Sequence, residues 1–386
     1  MIKLNTDVKT ILICLTEKGY EAYVVGGAIR SLLLNTEPTD YDITTSATPE
    51  EILNVFSFTK TIPTGIKYGT ITVIYNHQKY EITTYRIDGR YSNNRHPENV
   101  KFTKSLENDL MRRDFTINAL AYNDKLIDLF NGIDDLNSKV IRSIGNSDKR
   151  FEEDALRIIR AIRFSCKLNF EIEYETKKSI HKNKELLIKI PIERINSELF
   201  ELFKYINIDT IYEFYDVFQV LFPHLKRENI DRIINKVKNI NNDPLLILSS
   251  FFIDVNINDF NNVINNYKLS NEYKKIIKFI TKNDDLPSDV IGYQKLLKKW
   301  SFSDIMYYIS FNIFDNVLKE NAIKLLEEAN KKCHNLKMLD INGNDLVNMG
   351  YNGQLIKVKL NKLLDAVIEE KVKNNKSDLL YYLTKL

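Results

Sequence analysis

Two aspartates one residue apart, Asp40 and Asp42, are the side chains in this sequence best suited to hold a divalent cation. They flank Tyr41 and lead into Ile43, Thr44 and Thr45, residues that favour a strand, so their carboxylates share a face about 6–7 Å apart. Two anions that close repel unless a cation sits between them, and oxygen-only ligands suit Mg²⁺. Upstream, Tyr23-Val24-Val25 reads as a short buried strand, Gly26-Gly27 as a turn without a Cβ, and Ala28 to Leu34 as a helix. At such a turn the backbone approaches a phosphate closely, the free N–H groups of the helix start point at it, and Arg30 adds a charge. A triphosphate fits there. Alone, an Asp-x-Asp is more often a solvated turn and a Gly-Gly a plain loop; together, in this order and spacing, they favour chemistry.

Gly26-Gly27-x-x-Arg30 followed by Asp40-x-Asp42 resembles the active-site opening of the polymerase-beta-type nucleotidyltransferases, and in detail that of the class II CCA-adding enzymes, the tRNA nucleotidyltransferases. The likeness implies an α+β fold, with a nucleotidyltransferase head of mixed β-sheet and helices followed by an all-α neck, body and tail. It places the head at 1–145, the neck at 146–205, the body at 206–290 and a tRNA-binding tail at 291–386.

The elements that must position these groups are legible in part. Residues 5–18 read as an amphipathic helix capped by Asn5 or Thr6, and Thr48-Pro-Glu-Glu51 forms a capping box for the next helix. Residues 69–75 and 79–86 read as a β-hairpin turning at Asn76-His77-Gln78. Glu81 is the one acid of the second strand; it is as well placed facing solvent as facing a metal, and the family likeness implies that it completes the metal-binding group. Residues 87–99, without apolar periodicity and with Gly89 and Pro97, read as a loop similar to one that full CCA-adding members keep.

Arg112-Arg113-Asp114-Phe-Thr-Ile-Asn118 reads as helical, with Asp114 and Asn118 sharing a face; such a run is ordinarily a solvated patch. It also matches the family's second motif, which implies that Arg113 and Asp114 contact the ribose and phosphates of a bound nucleotide, with Asn118 in the same group. Residues 153–164 read as one helix, Leu156, Ile158, Ile159 and Ile162 on one side, Arg157, Arg160 and Arg163 on the other. Asp154 and Arg157, at i,i+3, form on the commonest reading an ordinary helical ion pair. Their acceptor oxygens and fork of donors can equally meet the edge of a base. The resemblance implies that they select cytosine or adenine, which carry an exocyclic amino group where uracil and guanine carry a carbonyl, while Arg160 and Arg163 face phosphate or primer. Glu193, Arg194 and Glu198 resemble the last shared motif and are expected to stabilise the neck.

A chain of 386 residues, 44% hydrophobic, has room for several domains. Its 55 basic and 52 acidic residues leave a net charge of +3, so a nucleic-acid partner must be held by a local basic surface. Cys14, Cys166 and Cys333 lack metal-site or disulfide spacing, and no apolar run approaches the ~18 residues of a membrane span. These features fit a cytoplasmic protein without membrane contact; nothing in the sequence sets its oligomeric state. The expected activity is template-independent addition of C, C and A to the tRNA 3′ end, with CTP and ATP as substrates, Mg²⁺ as cofactor and pyrophosphate as product. The alternatives are a partial CC- or A-adding relative, a poly(A) polymerase, or a noncatalytic RNA-binding protein, which would lack the carboxylates.

Overall fold

A seven-stranded mixed sheet organises the start of the chain in the computed structural model, which describes residues 2–89, 91–92, 96–97, 100–282 and 286–385. Its strands are β1 (Ala22–Val25), β2 (Asp42–Thr45), β3 (Lys60–Gly65), β4 (Thr70–Tyr75) and β5 (Gln78–Thr84), then, after four short strands, β10 (Leu120–Asn123) and β11 (Lys125–Asp128). The order across the sheet is β11-β10-β1-β2-β5-β4-β3, antiparallel except between β2 and β5. The register sets Asp42 opposite Val25 on one side and Glu81 on the other.

Side-chain alternation then decides what each face carries. Ile43, Val73 and Ile82 bury against Val8, Ile11, Leu12 and Leu15 of α1 (Thr6–Thr16) and Ile52 of α3 (Pro49–Val55). Asp42, Thr44 and Glu81 therefore fall on the opposite face. Asn5 caps α1, and Thr48 with Glu51 closes the expected capping box on α3. Between them, α2 (Gly27–Leu33) leaves β1 through Gly26, whose φ of 72° and ψ of −132° lie outside the range of residues with a Cβ.

Three local expectations change. Asn76 and His77, with φ of 47° and 64°, make a two-residue turn, so Gln78 already pairs within β5. The expected loop at 87–99 contains paired backbone instead: β6 (Arg86–Asp88) pairs with β9 (Val100–Phe102), and β7 (Tyr91–Ser92) with β8 (His96–Pro97). Its residues 90, 93–95, 98 and 99 lie outside the described residues. Residues 126–136 read in the sequence as a strand and turn, but after β11 the Asp128 carboxylate accepts the N–H groups of Gly132 and Ile133 and so starts a helix, α5 (Gly132–Asn137).

The two arginine motifs are not continuous helices. The helix α4 (Leu106–Met111) stops before Arg112 because Phe115 is extended and bridges to Ser143; Thr116–Asn118 forms a single 3-10 turn. Likewise α6 (Ser147–Glu153) ends at an extended Asp154, and α7 (Leu156–Leu168) starts anew with the Asp154 carboxylate accepting the N–H of Leu156. Helices α8 (Tyr174–Asn183) and α9 (Ile192–Phe203) follow, Pro191 preceding the latter.

The chain divides into two units, Met1–Lys226 and Arg227–Leu386. Among the described residues the second unit is helical throughout, from Ile230–Asn239 to Lys376–Leu383. The three cysteines are free, and no helix of the described residues is long and apolar enough to cross a membrane.

A Cβ on Gly26 would lie 3.1 Å from Nη1 of Arg113 on a backbone that disfavours one. Gly26→Ala is therefore expected to lower stability by about 1–3 kcal/mol, read as a fall in the urea midpoint, and to displace Arg113; an unchanged midpoint would contradict the strained turn.

Candidate active site

The β1–α2 turn, the approach to β2, the turn after α4 and the start of α7 converge on one cavity of about 640 Å³ within the first unit. Twelve of the residues singled out in the sequence line it: Gly26, Gly27, Arg30, Asp40, Asp42, Arg113, Asp114, Asn118, Asp154, Arg157, Arg160 and Arg163. Glu81 stands in register with Asp42 but does not line the cavity. Among the described residues no three His, Cys, Asp or Glu side chains gather closely enough to hold a metal ion, so the expected third carboxylate is not assembled with the other two.

Asp40 and Asp42 open onto the cavity with hard oxygen donors. Asp42 is exposed, yet the protein atoms around it push its carboxyl above the ordinary value; Arg113 opposes that shift, and the like charges of Asp40 and Glu81 add to it. Carboxylates that crowd one another in this way fit a divalent cation, which would relieve their repulsion.

The arginines are held by carboxylates, among them Asp109, which the sequence did not single out, and Glu198, expected there only to stabilise the neck. Asp109, fully buried, takes Nε and Nη2 of Arg112 at 2.9 and 2.8 Å and Nη2 of Arg113 at 3.4 Å. It also accepts the Thr44 hydroxyl at 3.0 Å, tying both arginines to the strand that carries Asp42. Burial alone would raise the Asp109 carboxyl, but Arg112 and Arg113 bring it below the ordinary value. Glu198 accepts Nη1 of Arg160 at 3.2 Å and forms an ion pair with Arg163, whose Nε lies 2.7 Å from Oε2. Arg194 holds both oxygens of Asp154, at 3.0 and 3.4 Å, and itself lines the cavity. Thus two residues expected only to stabilise the neck orient the residues of the site.

Asp154 and Arg157 do not pair with each other as an ordinary i,i+3 helical pair would. Arg157 is buried and donates to Glu153 Oε2 (3.0 Å) and to the carbonyls of Arg150 (3.2 Å) and Arg112 (2.7 Å). Of the five N–H groups of a guanidinium, two are left over to meet a ligand. Asp114 is more fully committed: Oδ1 accepts Phe115 N (2.8 Å) and Asn118 Nδ2 (2.9 Å), and Oδ2 accepts Nε and Nη2 of Arg160 (3.0 and 2.6 Å). Burial works against its charge, but Arg160 and Asn118 outweigh it and hold the carboxyl far below the usual range. The contact between Asp114 and Asn118 expected of a helix is made, but through a turn.

Arg30 is buried, donates to Asn118 Oδ1, and stacks 5.0 Å from the ring centre of Phe164. Arg160 and Arg163 approach the same ring at 5.4 and 4.4 Å, so its π face is shared by three like charges. Burial lowers the Arg30 pKa, and Arg163 and Arg160 add to that, against the pull of Asp114.

Residues 22–142 match the family model described as "Poly A polymerase head domain", and residues 169–228 the one described as "Probable RNA and SrmB- binding site of polymerase A". Fold and cavity together thus define a nucleotidyltransferase. The chain is 37% identical to the CCA-adding enzyme of Ligilactobacillus salivarius, over 97% of this chain and 95% of that protein. It is 35% identical to that of Oceanobacillus iheyensis, over 95% and 94%. The crystal structure of the Bacillus stearothermophilus CCA-adding enzyme in complex with CTP superposes with a TM-score of 0.82 at 27% identity, covering 98% of this chain and 96% of that one. The chain belongs to the family of CCA-adding enzymes, the tRNA nucleotidyltransferases. Nucleotidyltransferases of this kind generally use divalent metals.

Two substitutions test the electrostatics. Asp114→Ala leaves Arg160 with Glu198 alone and should cost about 3 kcal/mol of stability near neutral pH. Because the folded carboxyl is depressed, that contribution is present above the unfolded value of about 3.9 and is lost as pH falls below it, so the wild-type and variant urea midpoints should converge in acid. Asp42 carries the opposite sign: its folded carboxyl is raised, so its ionised form disfavours the fold at neutral pH. Asp42→Asn is expected to raise the Tm at pH 7 and to leave it unchanged near pH 3; a lower Tm at pH 7 would contradict the crowding described here.

Proposed function

We propose that this protein extends the 3′ end of tRNA by cytidine, cytidine and adenosine, using CTP and ATP and releasing pyrophosphate. One observation carries the reading: Asp40 and Asp42, the Gly26-Gly27 turn with Arg30, Arg113, and Asp154 with Arg157, far apart in sequence, line a single cavity. In this reading Gly26, Gly27 and Arg30 hold the triphosphate, Arg113 and Asn118 the sugar and phosphates, and Arg160 and Arg163 the phosphates or the primer. Asp114, with its oxygens taken by four protein donors, acts on the nucleotide mainly by fixing Arg160 and Asn118.

Asp154, braced by Arg194, accepts from an exocyclic amino group while the spare donors of Arg157 reach a ring nitrogen or carbonyl, so cytosine and adenine are met and uracil and guanine are not. Asp40 and Asp42 would hold Mg²⁺, with Glu81 alongside Asp42; such an ion activates the 3′-hydroxyl and offsets charge on the departing pyrophosphate. The reading includes a cytoplasmic setting, and a finer division into head (1–145), neck (146–205), body (206–290) and tail (291–386), with the tail on tRNA.

Purified protein offered tRNA lacking CCA, ending in C and ending in CC, with labelled CTP or ATP, should complete all three ends. Long adenosine tails would instead mark a poly(A) polymerase, and arrest after two cytidines a CC-adding enzyme. Asp154→Ala should raise incorporation of UMP relative to CMP by about ten- to a hundredfold, and Asp42→Ala should lower turnover by about a thousandfold or more with tRNA binding retained.

A further inference from the structure

We infer that Lys167 binds the terminal phosphate of the incoming nucleoside triphosphate. The inference rests on the reading of the cavity as a nucleotide site and adds a residue to it.

Lys167 lies one turn beyond Arg163 on α7 and lines the cavity with Arg30, Arg163 and Phe164. Most cationic side chains of that cavity are spoken for: Arg112 and Arg113 by Asp109, Arg157 by Glu153, Arg160 by Asp114 and Glu198, Arg163 by Glu198, and Arg194 by Asp154. Two stand apart. Arg30 has a neutral partner, Asn118, and a buried Nε with no acceptor. Lys167 makes no ion pair among the described residues; Glu201 of α9, whose charge acts on it, is paired with Lys204, and the Lys167 ammonium approaches the Tyr205 ring, at 5.8 Å.

Both line the cavity with Arg163, whose charge acts on each of them. Partial burial, together with the charges of Arg30 and Arg163, lowers the Lys167 pKa, as expected of an ammonium that lacks an anion. What fits there is a group with a high charge and several free oxygens. In a nucleoside triphosphate bound in this cavity, the group of that description is the terminal phosphate, the one bearing the additional ionisable oxygen.

Calorimetric titration of the full chain with CTP, CDP and CMP tests this in wild type, Lys167→Gln and Lys167→Arg. Lys167→Gln should bind CTP about tenfold more weakly with CDP and CMP little changed, so that its preference for CTP over CDP shrinks by the same factor, and Lys167→Arg should restore it. An unchanged CTP-to-CDP ratio in Lys167→Gln overturns the assignment. So does a variant that loses tRNA affinity alone, which would put the residue on the RNA path. A wild-type protein that binds none of the three nucleotides would instead overturn the reading of the cavity itself, and this assignment with it.

Discussion

The site depends on a balance of charge in a confined space. Eight arginines and one lysine line one cavity, and such a concentration of like charge is tolerated only if each guanidinium meets an acceptor or a π face. Asp109, Asp114, Glu153, Asp154 and Glu198 supply the acceptors, and Phe164 supplies the face. Asp114 matters most, because it joins the turn after α4 to helix α7 through two hydrogen bonds to Arg160 and fills its remaining positions with Phe115 N and Asn118. A guanidinium held on one side by a carboxylate keeps its other donors aimed, which is what a substrate-binding arginine needs.

The carboxylates that open onto the cavity carry the opposite problem. Asp40 and Asp42 crowd each other at the edge of the cavity, Glu81 adds a third negative charge in register, and Arg113 is the cation that counters them. A cavity that holds crowded carboxylates beside the unpaired Lys167 suits a substrate that is itself an anion bound with a divalent cation.

Much of the local framework was legible in sequence because it rests on short-range rules. The strand, glycine turn and helix around Gly26, the capping box at Thr48 and the placement of Asp42 on a strand need only neighbours a few residues away. Alternation in β5 gave Glu81 an even chance of facing the metal side; the parallel pairing that put it beside Asp42 is a long-range fact. The breaks at Asp154 and Phe115 were hidden for the same reason: each segment has helical composition, but Arg194, forty residues on, and Ser143 hold the chain extended. Asp109, Arg194 and Glu198 carry no periodic signal that distinguishes a partner of the site from a surface charge. A buried acid one turn before an Arg-Arg pair was the one available hint, and it concerned Asp109 alone.

In the proposed mechanism a cation binds between Asp40 and Asp42, in the same cavity whose other residues hold the nucleotide. A crystal structure with Mn²⁺ and a non-hydrolysable CTP analogue, recorded at the manganese absorption edge, measures this directly. The predicted result is an anomalous peak within coordination distance of both aspartates, with the base edge on Asp154 and Arg157. A peak remote from either carboxylate, or a base docked away from α7, would contradict it.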